Sequence, residues 1–382
     1  MDAHSEISPA DLPVASSTHS QHLLCGGSCG GANLERKGNA MPRWSTSTVL
    51  ATAGGLGLLL AARGVMRRWR EYDLRDRVAL ITGGSRGLGL IMARHLLQQG
   101  AHVAICARDE PELERARHDL SQDHGQVLSL PCDIINREQV HAMVQSVLKH
   151  FGRIDILINN AGAIQVGPVE LMTLEDYEAA MKVHFWGPLY TVFAVLPGMR
   201  QRRHGRIVNI ASIGGKISMP HLLPYNASKF ALVGFSEGLR SELAKDGIVV
   251  TTVCPGLMRT GSPRNAFFKG QHRAEYAWFS IGDALPIVSQ SAERAAGQII
   301  TACKRGDAEV VLSLPAKLAT TVHGLFPGAT ADLLGIANTL LLPGTGGIGT
   351  AQLPGKDSAS QLSPSFLTTL SDRAAQRNNE IG

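Results

Sequence analysis

Val78-Ala-Leu-Ile-Thr-Gly-Gly-Ser-Arg-Gly-Leu-Gly89 decides how this chain is read. Val78 to Ile81 is an unbroken apolar run, the mark of a strand buried on both faces of a parallel sheet. Gly83, Gly87 and Gly89 follow, then a helical run from Leu90 to Gln99 closed by Gly100. A strand, a tight glycine turn and a helix N-terminus together make an anion site. Unpaired backbone N–H groups and the positive end of the helix dipole face a phosphate, and glycine lets the backbone approach it closely.

The chain has 382 residues, 44% hydrophobic and 18% charged, enough for a large globular domain with appendages. The net charge of +5 is small and the basic residues form one local cluster, which argues against nucleic-acid binding. Six cysteines are scattered, and three of them fall in or beside predicted core strands, where a thiol behaves as a small apolar group. Cys25 and Cys29 lack a second pair, so no metal site is expected, and a reducing compartment fits best.

Residues 1–44 read as a disordered leader rich in Ser, Gly, His and Ala, and Met41 offers an alternative start. Residues 45–70 read as an anchor: Ser45 to Ala62 carries no charge and spans roughly 27 Å as a helix, just short of a hydrocarbon core. Arg63, Arg67, Arg68 and Arg70 follow, with Trp44 and Trp69 placed like interfacial anchors. The expectation is a membrane-anchored protein whose body faces the cytoplasm; a cleaved signal peptide or a packed leader are the alternatives.

From residue 72 to 314 strand and helix alternate. Strands are expected at Val78–Ile81, Val103–Cys106, Gln126–Leu130, Ile154–Ile158, Ile207–Ile210, Val249–Val253 and Glu309–Leu314. The fold class is α/β: a doubly wound parallel sheet (Rossmann fold), with an N-terminal apolar helix and a C-terminal helical extension.

Five motifs stand in one order: Thr82-Gly-Gly-Ser-Arg-Gly-Leu-Gly89, Asn159-Asn-Ala-Gly162, Ser212, Tyr225-Asn-Ala-Ser-Lys229 and Pro255-Gly256. In order and spacing they resemble the short-chain dehydrogenase/reductase family, non-extended branch, over roughly Leu74 to Leu314. The resemblance implies a nicotinamide cofactor held by Thr82, Gly83, Ser85, Arg86, Gly87, Leu88, Gly89, Arg108, Asp133, Ile134, Asn159, Asn160, Ala161, Tyr225, Lys229, Pro255, Gly256 and Thr260. It also implies a homodimer or homotetramer, because the helix bearing Tyr225 matches the family's usual dimer helix.

The chemistry asks for these residue types on its own account. Hydride transfer to a carbonyl leaves charge on oxygen, so a proton must arrive with it. Tyr225 is the candidate acid, and Lys229, one helical turn on, would draw its phenol down towards working pH. Ser212 ends a strand and could hold the substrate oxygen beside Tyr225. His184, in Val183-His-Phe-Trp-Gly187, stands where the family usually carries an asparagine that supports a water relay. It is read either as an altered relay or as a packed histidine.

Arg108 at the end of the second strand and Arg86 in the turn, with no acid at the strand end, favour NADPH over NADH. Asp109 comes one residue late for the ribose. Gly261 to Leu285 reads as an aromatic-rich loop over the active site, carrying Phe267, Phe268, Tyr276, Trp278 and Phe279, which suggests a lipophilic carbonyl or alcohol substrate, or else ordinary packing or an oligomer contact. Residues 315–343 trace an apolar helical face, read as a cap, a second membrane contact, or core. Gly344-Thr-Gly-Gly-Ile-Gly349 lacks the flanking strand and helix of a dinucleotide site and reads as a linker, opening a disordered tail over 344–382. The function so read is an NADPH-dependent carbonyl reductase or alcohol dehydrogenase; the competing one is a weakly catalytic NADPH-binding sensor or scaffold.

Overall fold

The computed structural model describes residues 71–381, apart from 123–124, 361–362 and 364–367. The leader, Met41, Cys25, Cys29 and the apolar segment 45–62 lie outside the described residues. Among the described residues no helix is long and apolar enough to cross a membrane.

Seven parallel strands form the central sheet: β1 (Val78–Thr82), β2 (His102–Ala107), β3 (Val127–Pro131), β4 (Ile156–Asn159), β5 (Gly205–Ile210), β6 (Ile248–Cys254) and β7 (Glu309–Val311). Their order is β3-β2-β1-β4-β5-β6-β7. All pairs are parallel, with Leu80 of β1 beside Ala104 on one side and Leu157 on the other. The chain winds outward from β1 in one direction and from β4 in the other. The two halves part at the carboxyl ends of β1 and β4, which is where such sheets take ligands.

The helices are α1 (Gly87–Gln98), α2 (Glu110–Leu120), α3 (Arg137–Phe151), α4 (Leu174–Met181), α5 (Gly187–Arg202), α6 (Leu223–Leu243), α7 (His272–Ala284) and α8 (Ala292–Arg305), followed by α9 (Leu314–Leu325), α10 (Pro327–Leu341) and α11 (Thr369–Arg377). Alternation along each strand divides the core. Ala79 and Ile81 pack with Leu90, Ile91, Leu97, Ile299 and Ile300 of α1 and α8. Val78 and Leu80 point the other way, onto Val144, Val147, Val192 and Met199 of α3 and α5. Local signals set the ends: Asn136 caps α3 by accepting from the Gln139 N–H at 2.9 Å, and Gly152 ends it at φ 78°.

Three regions differ from the sequence expectation. Much of the stretch Gly261 to Leu285, read as a loop, is helix α7. Its aromatics are mainly packing, since Phe268, Tyr276 and Phe279 form a buried cluster with Val166 and Ala266. Residues 315–343 form the α9–α10 pair, and α10 buries none of its residues, which removes the core reading. The described part of 344–382 is folded: Leu353–Pro354 pairs antiparallel with Phe267–Phe268, and α11 packs on α7. Segments this poor in apolar periodicity are held by hydrogen bonds and neighbours rather than by a face of their own. Gly344–Gly349 is a turn hydrogen-bonded to Gly270.

Candidate active site

Thr82 ends β1, and its hydroxyl accepts from the N–H groups of Asn160 at 3.0 Å and Ala161 at 3.1 Å. The Asn160 amide in turn donates to the carbonyls of Thr82 and Gly83. The Asn159–Gly162 turn after β4 is thereby stapled to the glycine turn after β1. Gly83 and Gly87 have φ of 63° and 54°, where a side chain is strained. A Cβ on Gly89 would overlap the Gly83 carbonyl oxygen and lie 2.6 Å from the Asn160 amide nitrogen. The turn is shaped for close backbone approach, and α1 opens on it at Gly87.

Ser85 and Arg86 both engage Glu112 of α2, Arg86 at 2.8 Å. Asp109 caps α2 by accepting from the Glu112 N–H at 2.7 Å, which occupies it away from a ribose site. Arg108 stands exposed at the end of β2. Asp133 turns inward on its own loop, accepting from the Ile135 N–H at 3.2 Å, while Ile134 is buried against Gly187. Pro255 and Gly256 follow β6, with the Pro255 carbonyl accepting from Ile213 N–H at 2.7 Å. Thr260 is buried and donates to the Ser262 hydroxyl at 2.7 Å.

The structure brings Ser212, Tyr225 and Lys229, the expected catalytic residues, together beside the glycine turn. Ser212 follows β5, and its Oγ accepts from the Gly214 N–H at 3.0 Å; the Tyr225 ring and the Ser212 hydroxyl both lie against Gly214. Lys229, one turn along α6, is buried and donates from Nζ to the Ile210 carbonyl at 2.9 Å; Nζ also lies 5.7 Å from the Tyr225 ring centre. Burial pushes Tyr225 up to about 12, against the nearby Ser212 hydroxyl, which pulls it down. Burial draws Lys229 down to about 7. In this arrangement desolvation outweighs the expected pull of the lysine charge on the phenol.

His184 sits in a π-helical turn, Lys182–Trp186, between α4 and α5. Its Nε2 accepts from the Ala163 N–H at 3.1 Å, which places the proton on Nδ1, 2.8 Å from the Ser228 hydroxyl. Ser228 then donates to the Tyr225 carbonyl at 2.8 Å. Burial, with the Lys229 charge, holds His184 well below its ordinary range, so the ring is neutral. Both nitrogens are engaged within the protein and neither is left for a relay water. The geometry favours the packed reading: His184 fixes the start of α6 and the Asn159–Gly162 turn against each other.

Sequence reasoning missed Glu112, Ser228 and a buried chain of hydrogen bonds. Thr191 donates to Asn159 at 2.6 Å, Asn159 to Asn209 at 2.9 Å, and Asn209 to Ser236 at 3.0 Å. The signal available was Asn209, a polar residue inside an otherwise apolar strand. Such a group is tolerated in a core only when its partners are built in.

A doubly wound sheet with a glycine turn at its switch point and a Ser–Tyr–Lys set beside it defines a nicotinamide-dependent oxidoreductase. The chain belongs to the short chain dehydrogenase family, whose profile matches residues 77–268. It is 36% identical over 286 residues to the dehydrogenase/reductase SDR family protein 7-like of Anopheles gambiae, covering 73% of this chain and 88% of that one. The putative ketoacyl reductase of Streptomyces coelicolor is 38% identical over 187 residues, 48% and 72% of the two chains. Among solved structures, the L-sorbose reductase of Gluconobacter frateurii complexed with NADPH and L-sorbose superposes with a TM-score of 0.57 at 28% identity, over 63% of this chain and 97% of that one. NAD+-bound xylitol dehydrogenase superposes with a TM-score of 0.56 at 26% identity, over 63% and 99%. The protein is an NAD(P)-dependent short-chain dehydrogenase/reductase.

Proposed function

We propose that the protein interconverts a carbonyl and an alcohol on a lipophilic small molecule, with NADPH as its cofactor. The observation that carries the reaction is the grouping of Ser212, Tyr225 and Lys229: the first two side chains meet at Gly214, and Lys229 Nζ lies 5.7 Å from the Tyr225 ring centre. The glycine turn fits the diphosphate of a dinucleotide, because α1 opens on it and Gly83 and Gly87 hold backbone angles that strain any side chain. A bound nicotinamide supplies or accepts the hydride. Ser212 holds the substrate oxygen, Tyr225 moves the proton at that oxygen, and Lys229 orients the ribose side of the site. His184 is a positioning residue behind Tyr225.

Arg108 at the strand end and Asp109 committed to its cap support NADPH; Arg86, drawn to Glu112, is the second cation available to a 2′-phosphate. Support for a lipophilic substrate comes from α9. It begins beside Gly256, where an added Cβ would sit 2.9 Å from Ala316, and Leu314 and Leu318 are exposed along it. Ser45 to Ala62 and the arginines after it support membrane attachment with the body on the cytoplasmic side. Carbonate extraction and protease protection of the full chain test this last point; release with the soluble fraction would sink it.

Turnover is read from the absorbance of reduced nicotinamide over lipophilic aldehydes, ketones and sterols. Tyr225→Phe is expected to lower kcat by about 10²- to 10⁴-fold while NADPH affinity stays unchanged. A mutant that turns over normally overturns the proton role of Tyr225. Equal efficiency with NADH and NADPH overturns the cofactor choice alone.

A further inference from the structure

The segment Asn378–Glu380, which follows α11, lies in the glycine turn. Gly87 N–H, at the start of α1, donates to the Asn378 carbonyl at 2.9 Å. The Asn379 amide donates to the carbonyls of Ser85 and Glu112, both at 2.9 Å, and its oxygen accepts from Arg115 at 3.0 Å. Glu380 then crosses the cleft. One carboxyl oxygen accepts from the Gly261 N–H at 2.6 Å, on the loop after β6. The other lies 3.0 Å from where a Cβ on Gly87 would stand.

These contacts use the groups a dinucleotide needs. The first N–H of α1 is capped by a carbonyl, and a carboxyl group sits over the Gly87 backbone. Gly261 is itself packed tightly, since a Cβ there would meet Glu380 Cβ at 2.7 Å and Ala375 Cβ at 2.8 Å. The absence of a side chain at Gly261 therefore makes room for the tail.

We propose that Asn378–Glu380 is an internal competitor that must leave the glycine turn before a dinucleotide diphosphate can bind there. The proposal rests on the dinucleotide reading of that turn. Docking of the segment and binding of the cofactor are alternative uses of one set of donors, so apparent affinity is reduced by the fraction of molecules with the turn open. The anchor for the segment is α11, whose Ala374 and Ala375 are buried. Release needs only the residues beyond it to swing away.

Charge gives the contact a pH dependence. The groups facing the Glu380 carboxyl are Arg86 in the turn, Glu112 on α2 and Asp283 on α7. Burial pushes Glu380 up to about 7 from an ordinary 4.5, and Glu112 adds to this while the Gly261 N–H and Arg86 oppose it. Burial, then Glu380 itself, pushes Asp283 up to about 8. The docked segment thus holds protons that the released one gives up. Below about 4.5 Glu380 is neutral in both states; from there to about 7 docking weakens as pH rises.

NADPH and NADH affinities are measured by titration on the full chain, on a form ending at Arg377, and on Asn379→Ala/Glu380→Ala in the full chain. Ending at Arg377 is expected to tighten NADPH binding about tenfold or more. The double variant, which leaves the segment in place for folding, is expected to follow in the same direction. The gain should be larger at pH 5.5 than at pH 8. Carboxypeptidase should remove residues beyond Arg377 faster when NADPH is present. Affinities within twofold across all three forms overturn the competitor while leaving the dinucleotide reading intact. No dinucleotide binding by any form overturns both.

Discussion

Lys229 carries the sharpest residue-scale consequence of burial. Its ammonium is enclosed with one backbone acceptor, the Ile210 carbonyl, and its ordinary value of 10.5 falls to about 7. The unfolded chain therefore binds more protons than the folded one between about pH 7 and 10.5. Stability gains from this group as pH rises through that window, by up to about 1.4 kcal/mol per pH unit. Below pH 7 the folded protein carries the full cost of a buried charge. Lys229→Met should be the more stable form at pH 7, and urea unfolding at pH 7 and pH 9.5 should show the difference shrinking. An unchanged difference across that range would place the ammonium in a better solvated site. His184 behaves differently, because it is neutral and has partners at both nitrogens. The sequence marked it as the departure from the family's asparagine but left its role open. The ring's partners are a backbone N–H twenty-one residues earlier and a serine forty-four residues later, and no local pattern relates them.

At the scale of elements, legibility followed locality. The apolar runs of β1, β2 and β4 to β6, the glycine turn and the Tyr225–Lys229 helix face all declare themselves within a dozen residues, and each lies where the sequence put it. Helix α7 did not, since its aromatics are spread over two structures. Phe267 and Phe268 belong to a short strand, whereas Tyr276 and Phe279 belong to a helix packed onto it. Elements whose reason is a distant partner have no period to read. The glycine turn is the opposite case, and it makes a firm prediction. α1 can start where it does only because Gly89 has no side chain between the Gly83 carbonyl and the Asn160 amide. Both neighbours are anchored, one as backbone and the other by its hydrogen bonds to Thr82 and Gly83, so neither can give way cheaply. Gly89→Ala should therefore destabilise the fold by about 1–3 kcal/mol, the cost typical of overpacking. It should also weaken NADPH binding more than Gly234→Ala, where an added Cβ meets nothing within 4 Å. Thermal melts and cofactor titrations of the two variants check this. Equal losses would remove close approach as the role of Gly89.

On the scale of the whole molecule, two apolar surfaces stand uncovered among the described residues, and they differ in shape. The α9–α10 pair exposes long side chains such as Leu325, Phe326, Leu333 and Leu340. Helix α6 exposes Leu223, Ala227, Phe230, Gly234 and Gly238, spaced to lie along one face. Gly234 and Gly238 have open space where a side chain would be, so a second helix can come close to their backbone. Trp186 and Phe193, seven residues apart on the neighbouring turn and α5, are both exposed. A face that mixes large rings with bare backbone suits a copy of itself, in which each Phe230 fits over the partner's glycines. A two-fold pairing buries such a patch on both chains at once. The resemblance to the family's dimer helix points the same way. Sedimentation of the full chain in mild detergent should give at least twice the 40.8 kDa chain mass. Phe230→Glu should shift it to the single chain, because a carboxylate would be buried against glycine backbone with no partner. Phe326→Glu, on the other apolar surface, should leave the assembly unchanged. If Phe326→Glu alone separates the chains, self-association belongs to α9 and α10, and α6 is left facing solvent.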